Sequence, residues 1–368
     1  MPLTVIDAIL RILCFLLGAV TVYVILLSAI RTFVLPRSEN VFLTRMVHMT
    51  VYRLFLLRAN RLTTYEARDR FMAYYAPVVL LLLPVVSVFY VMIGYMFMYR
   101  AVGVESWEYA LTVSGSSLLT LGTVPFTSLP VTLLEFTEAT IGLGLVALLI
   151  AYLPTIYSAF AAREAAVTLL DVRAGSPPSA VEFISRAHRI RGLATLDEFW
   201  PEWERWFADI EESHTSLSSL VMLCSPQPER SWVTAAGVVL DAAALCCAVV
   251  DAPDDPDAQL CIRAGYLALR RIADFFGLEY NHDPHFPADA ISISRDEFDE
   301  ACSRLAEAGV PLRPDRDQAW QDYGGWRVNY DAPLLYLARL TMAPYAPWVS
   351  DRSLPRRRPA ATRPTLSA

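Results

Sequence analysis

The run Ser114-Gly-Ser-Ser-Leu-Leu-Thr-Leu-Gly-Thr-Val-Pro-Phe126 gathers hydroxyls, glycines and a proline inside the most apolar third of the chain. Hydroxyl oxygens and uncommitted backbone carbonyls are ligands for hard cations and for water, and both are costly against hydrocarbon. Thr-x-Gly alone carries little information, because apolar helices produce it by chance. Elsewhere, Asn281-His-Asp-Pro-His285 supplies two imidazoles without a third metal ligand at a recognisable spacing. The acidic run Asp251 to Asp257 lacks the glycine and closing glutamate of a calcium loop and reads as a solvated turn. Six cysteines contain no C-x-x-C pair and read as small core residues. No Ser-His-Asp or Cys-His signature is discernible, and no G-x-G-x-x-G follows a strand. These residues point away from an enzyme, a bound metal and a dinucleotide cofactor.

Composition says what must position the polar run. With 55% hydrophobic and 19% charged residues and a mean hydropathy of +0.36, the chain exceeds the usual balance of a water-soluble protein. Ile12 to Ile30, Phe71 to Tyr99 and Ala139 to Ala162 are free of charge. Each spans about 30 Å or more as a helix, enough to cross a bilayer. The first apolar run is too long for a signal peptide and no small-residue cleavage site follows, so it reads as a retained anchor. Pro77, Pro84 and Pro154 interrupt the later stretches without ending them, because neighbours in a bundle can satisfy the freed carbonyls.

Charge orients these spans. Residues 31 to 70 carry eight arginines, and the positive-inside rule places that loop in the cytoplasm and the N-terminus outside. Val47, Val51, Leu54 and Arg58 recur at helical spacing, predicting an amphipathic helix over Leu43 to Arg58. Tyr109 to Leu134 is uncharged, but Glu135 and Glu138 follow it and no arginine lies between Arg100 and Arg163. A cytoplasmic end marked only by acids breaks the rule. The segment therefore reads as a re-entrant loop, a short helix entering the membrane and extended chain returning to the same face.

On these residues the chain resembles the pore module of the potassium-channel superfamily, of the bacterial two-transmembrane type. Trp107 to Leu119 resembles its pore helix, Thr120-Leu-Gly-Thr-Val-Pro125 its filter, and the span from Glu138 to Glu164 its inner helix. The resemblance implies an all-α membrane protein that assembles as a homotetramer, in which the carbonyls of Thr120, Leu121, Gly122, Thr123 and Val124 replace an ion's hydration shell. Gly142, Gly144 and Pro154 are candidate positions for a gating hinge, close helix packing being the alternative for the glycines. The family filter is T-x-G-Y-G followed by an acid. Here Thr123 stands for Tyr, Val124 for the second Gly and Pro125 for the acid. Val resists the positive φ that Gly adopts, so the outer carbonyl rings should be lost and K+ and Na+ should pass alike.

The domain boundaries follow. Residues 1–36 form an N-terminal spanning helix, 37–69 the arginine-rich segment, and 70–165 the channel-like module. That module divides into an outer helix over 71–99, a pore helix over 107–119, a filter over 120–125 and an inner helix over 138–163. A linker over 166–180 is marked by Arg173-Ala-Gly-Ser-Pro-Pro-Ser179, and a disordered tail over 351–368 carries Arg356 to Arg358 among prolines. Between them lies a helical cytoplasmic domain over 181–350, set apart by charge: residues 164–368 hold 20 Arg against 30 acids, whereas 1–163 hold 11 against 8. Its signals are an aromatic stripe at Phe199, Trp200, Trp203, Trp206 and Phe207 and a capping box at Ser294 to Glu297. Ser231 to Val250 is apolar enough to span, but Asp241 at its centre makes it a buried core helix.

The function expected is a cation channel of the plasma membrane, with monovalent cations and the lipid bilayer as partners, and no nucleic acid. The alternative is a non-conducting membrane-tethered receptor or scaffold, its pore fold vestigial and its cytoplasmic domain functional.

Overall fold

The structure, a computed structural model of the chain, describes residues 5–33, 42–59, 61–62, 65–122, 128–253 and 255–352. Its regular elements are helices, and Val250 and Leu312 form an isolated antiparallel bridge. The chain divides into two compact units, Met1–Phe160 with Ser216–Leu223, and Ala161–Thr215 with Cys224–Ala368. Among the described residues, four helices are long and apolar enough to cross a membrane.

The first unit begins with α1 (Val5–Phe33), α2 (Phe42–Ala59), α3 (Tyr65–Met72) and α4 (Tyr75–Ala101). α1 and α4 cross at glycines: a Cβ on Gly18 would stand 2.3 Å from the Gly94 carbonyl oxygen. Only small residues let two backbones approach so closely, and in lipid that packing must supply the attraction that water would otherwise provide. Val22, Ile25 and Ala29 of α1 are buried in the same core as Val91, Tyr95 and Met98 of α4. The opposite side of α1, including Ile9, Leu13, Leu16 and Val20, is exposed in the single chain.

The outer helix expected over 71–99 is interrupted. Pro77 lacks an N–H and its ring would clash with the carbonyl four residues back, so α3 stops at Met72 and α4 restarts at Tyr75. The amphipathic helix expected over 43–58 is α2. Its buried side is Leu43, Val47 and Val51, while Leu54 is 60% exposed, so the inward stripe is narrower than the spacing predicts. His48 of α2 lies with Nδ1 3.1 Å from the Tyr75 hydroxyl. Burial pushes its imidazole down to about 4, which keeps it neutral at pH 7.

The rest of this unit holds α5 (Trp107–Leu118) and the beginning of α6 (Leu129–Ala174). α6 starts nine residues before the expected inner helix. Pro130 at its second position costs nothing there, because the first N–H groups of a helix have no partner inside it. α6 also runs on through residues 166–174, expected to be linker. Ala165-Ala-Val-Thr-Leu-Leu170 favours helix, and the stop comes at Gly175, with φ +83°.

The second unit contains the end of α6, α7 (Ala180–Arg191), α8 (Phe199–Ser216), α9 (Trp232–Val249), α10 (Pro256–Phe275), α11 (Arg295–Glu307), α12 (Arg316–Arg327) and α13 (Asp331–Leu340). α9 is the fourth helix apolar enough to span. Yet 89% of its most apolar window is buried, against 22–39% for the other three, because α7, α10, α12 and α13 pack around it. The aromatic stripe is core: Trp200 and Phe207 have no exposure and Phe199 and Trp203 have 3%. Caps set the frame. Ser231, Asp255 and Asp315 accept from the first-turn N–H groups of α9, α10 and α12, and Ser294 with Glu297 closes a reciprocal capping box on α11.

Asp241 explains how a carboxylate sits in the middle of an apolar helix. Arg327 of α12, itself wholly buried, donates to it from Nη1 at 2.6 and 2.7 Å. The Tyr330 hydroxyl donates to Asp241 at 2.8 Å. The remaining guanidinium donors reach Asp331 at 2.7 Å and the Trp348 carbonyl at 2.7 Å. Burial works against charge on Arg327, but Asp241 and Asp331 overcome it and hold the guanidinium above its usual range. The same burial and the Asp241 carboxylate push the Tyr323 and Tyr330 hydroxyls up.

Candidate functional site

The polar run is built into the end of α5 and the turn that follows. Ser106 caps α5 by accepting from the Tyr109 N–H at 3.1 Å, and Glu108 stands in the first turn, where the helix dipole favours an acid. At the other end the Leu121 N–H reaches back to the Ser116 carbonyl at 2.8 Å and the Thr120 N–H to Ser117 at 3.0 Å. These two bonds make a Schellman closure, which requires the residue between them and the helix to be left-handed. That residue is Thr120, at φ +54°. Glycine usually fills the position; a β-branched residue there stores strain of about 1–3 kcal/mol. Gly122 is left-handed as well, at φ +65°, and Thr120, Leu121 and Gly122 are all exposed in the single chain. Thr123, Val124 and Pro125, the rest of the expected filter, lie outside the described residues.

A buried carboxyl braces this turn from behind. Glu138 of α6 has no exposure. It accepts from the Tyr99 hydroxyl of α4 at 2.8 Å and from the Ser114 hydroxyl of α5 at 2.5 Å, so one side chain joins three helices. Next to it the Tyr95 hydroxyl donates to Thr137 at 3.0 Å. The sequence suggests only that Glu138 marks an outer flank. An isolated acid inside an apolar helix is the signal that could have identified it, since such a residue must find partners.

α5 also rests on α6 at Gly142. A Cβ there would lie 2.2 Å from the Leu118 carbonyl oxygen, whereas Gly144 has nothing within 4 Å. Pro154 is exposed, and α6 is continuous through all three candidate hinge positions. The structure therefore sets Gly142 against Leu118, two residues before Thr120, and leaves Gly144 and Pro154 outside that contact.

Comparison with protein-family models, curated proteins and solved structures finds no match to this chain.

Several of the other residues that could carry chemistry have structural partners. His285 and Asn281 hold a turn around Asp289, whose carboxyl is drawn below its usual range by the His285 N–H and the Asn281 amide. Among the described residues no three His, Cys, Asp or Glu side chains converge on a metal position. Asp255 is engaged as the α10 cap. His214, buried beside the Arg163 guanidinium at 3.3 Å, is held well below its usual range, first by burial and then by that cation. The second unit encloses a cavity of about 540 Å³ lined by Trp200, Cys246, Cys247, Asp197, Asp257 and Arg313 among others.

Proposed function

We propose that the chain is a cation channel of potassium-channel-like architecture, assembled as a homotetramer in the plasma membrane, with its second unit cytoplasmic. The observation that carries this reading is the turn at Thr120–Gly122. It is exposed, it is strained at Thr120, and it follows the carbonyl end of a short helix between two helices long enough to span. The end of an α-helix carries about half a negative charge, which favours a cation there. Backbone strain at such a position persists only where the surroundings over-determine it, and Glu138 and Gly142 supply that bracing. Four copies of the turn around a common axis would present their carbonyls to one ion path.

The substitutions in the filter set the selectivity. With Val124 and Pro125 in place of Gly and an acid, the outer coordinating rings are missing, and Pro125 has no N–H to brace the loop. Thr120, Leu121 and Gly122 then form one or two partly hydrated sites in a wider pore, which passes K+ and Na+ with similar ease. Recording from purified protein in planar bilayers under bi-ionic conditions tests this. The expected reversal potential lies near zero, and Thr120→Ala and Gly122→Ala alter the current. Strong preference for K+ would refute the selectivity argument.

The second reading is a non-conducting receptor, favoured by the 540 Å³ cavity of the second unit, whose lining mixes apolar residues with Asp197, Asp255, Asp257 and Arg313. Silence in bilayers from the folded protein and both variants would select it.

A further inference from the structure

A second cavity, of about 550 Å³, lies in the first unit between the beginning of α1, the end of α4 and the chain leading into α5. Two arginines line it. Arg11, less than two turns into the apolar helix α1, makes no hydrogen bond or ion pair among the described residues. Arg100 donates from Nη1 to the Val104 carbonyl and lays its guanidinium over the Trp107 ring at 5.4 Å, leaving its buried Nε without a partner. An arginine at the level of a spanning helix is expensive unless an anion or carbonyl satisfies it. Neither guanidinium makes an ion pair among the described residues, although carboxylates share the cavity.

Two acids, Asp7 and Glu105, line the same cavity, so its formal charge balances. That pattern suits a zwitterion better than a simple anion. Planar guanidinium donors match phosphate oxygens, and the carboxylates and the Trp107 face suit a primary ammonium. Leu13 and Leu17, one and two turns further along α1 from Leu10 of the cavity wall, are more than half exposed. A headgroup seated in the cavity would thus have an apolar surface alongside for acyl chains.

We propose that this cavity binds a phosphoethanolamine group, its phosphate on Arg11 and Arg100 and its ammonium on Asp7 and Glu105. The inference rests on the membrane placement of the first unit and is independent of conduction. Its readout is ligand retention, so silence in bilayers does not affect it.

Full-length protein is delipidated in detergent and titrated by native mass spectrometry with dioleoyl-phosphatidylethanolamine, -phosphatidylcholine and -phosphatidylglycerol, and with soluble O-phosphoethanolamine. Phosphatidylethanolamine is expected to bind about tenfold more tightly than either other lipid, and Arg11→Gln to remove about that factor. Because Arg11 makes no hydrogen bond or ion pair among the described residues, R11Q should keep the helical circular dichroism and elution volume of the parent protein. Glu105→Gln should narrow the gap between the ethanolamine and glycerol lipids, since it removes the ammonium partner alone. If O-phosphoethanolamine binds as tightly as the lipid, the natural ligand is a soluble phosphoester; weaker binding assigns the site to lipid. Phosphatidylglycerol ranking first, no ranking at all, or undiminished binding by folded R11Q would overturn the proposal.

Discussion

Arg327 shows how a single residue governs a core. It donates to Asp241, Asp331 and the Trp348 carbonyl, so its removal leaves the buried Asp241 carboxylate without its cationic partner. Breaking a buried pair from one side costs about 3–5 kcal/mol, well beyond the ordinary effect of a point substitution. Arg327→Met is therefore expected to lower the unfolding free energy of the second unit by that amount, measured by denaturant titration followed by tryptophan fluorescence. A loss below about 1 kcal/mol would mean that water already reaches Asp241. The sequence shows that Asp241 needs a partner, but not which arginine, because the two lie 86 positions apart. Thr120 is the opposite case. Its type is plain in the sequence, and its left-handed backbone follows only from the closure of α5 behind it.

At the scale of elements, the meeting of α5 with α6 is the joint on which the candidate site depends. Gly142 and Gly144 are indistinguishable in a list of residues, yet only Gly142 touches another backbone. Gly142→Ala is expected to drive Leu118 away and to destabilise the first unit by about 1–3 kcal/mol, the usual cost of overpacking. Gly144→Ala in the same helix should instead stabilise by about 0.5–1 kcal/mol, because alanine is the better helix former. Thermal unfolding of both variants in detergent checks the contrast, and equal effects would show that the α5–α6 contact is not formed. The start of α11 was legible in the Ser294 to Glu297 capping box, whereas the break before Pro77 was not. Element ends were misread where propensity alone had to decide, as at both ends of α6.

The whole chain consists of two units with separate cores, one of exposed apolar helices and one closed around α9. Their stabilities should be separable. Scanning calorimetry of the full chain in detergent is expected to give two transitions, with Arg327→Met lowering one and Gly142→Ala lowering the other. A single transition moved equally by both would show that the units unfold as one. The change of charge along the chain anticipates this division, since a bilayer and an aqueous solvent select different surfaces. It does not anticipate the boundary, which falls inside α6 at Phe160 and returns to the first unit at Ser216–Leu223.

By itself the sequence determined what local chemistry controls. Helical periodicity, uncharged length and capping residues are properties of neighbouring positions, and they specify the helical class, the membrane-competent spans, the amphipathic α2 and the short helix beginning at Trp107. The tertiary structure alone decided which distant groups meet. Glu138 with Tyr99 and Ser114, Arg327 with Asp241, Gly142 with the Leu118 carbonyl, and Arg11 with Arg100 around one cavity are pairings across 24 to 89 positions. No periodicity records such pairings. They follow from which apolar faces pack together, and from the cost of leaving any buried charge or carbonyl in that packing without a partner.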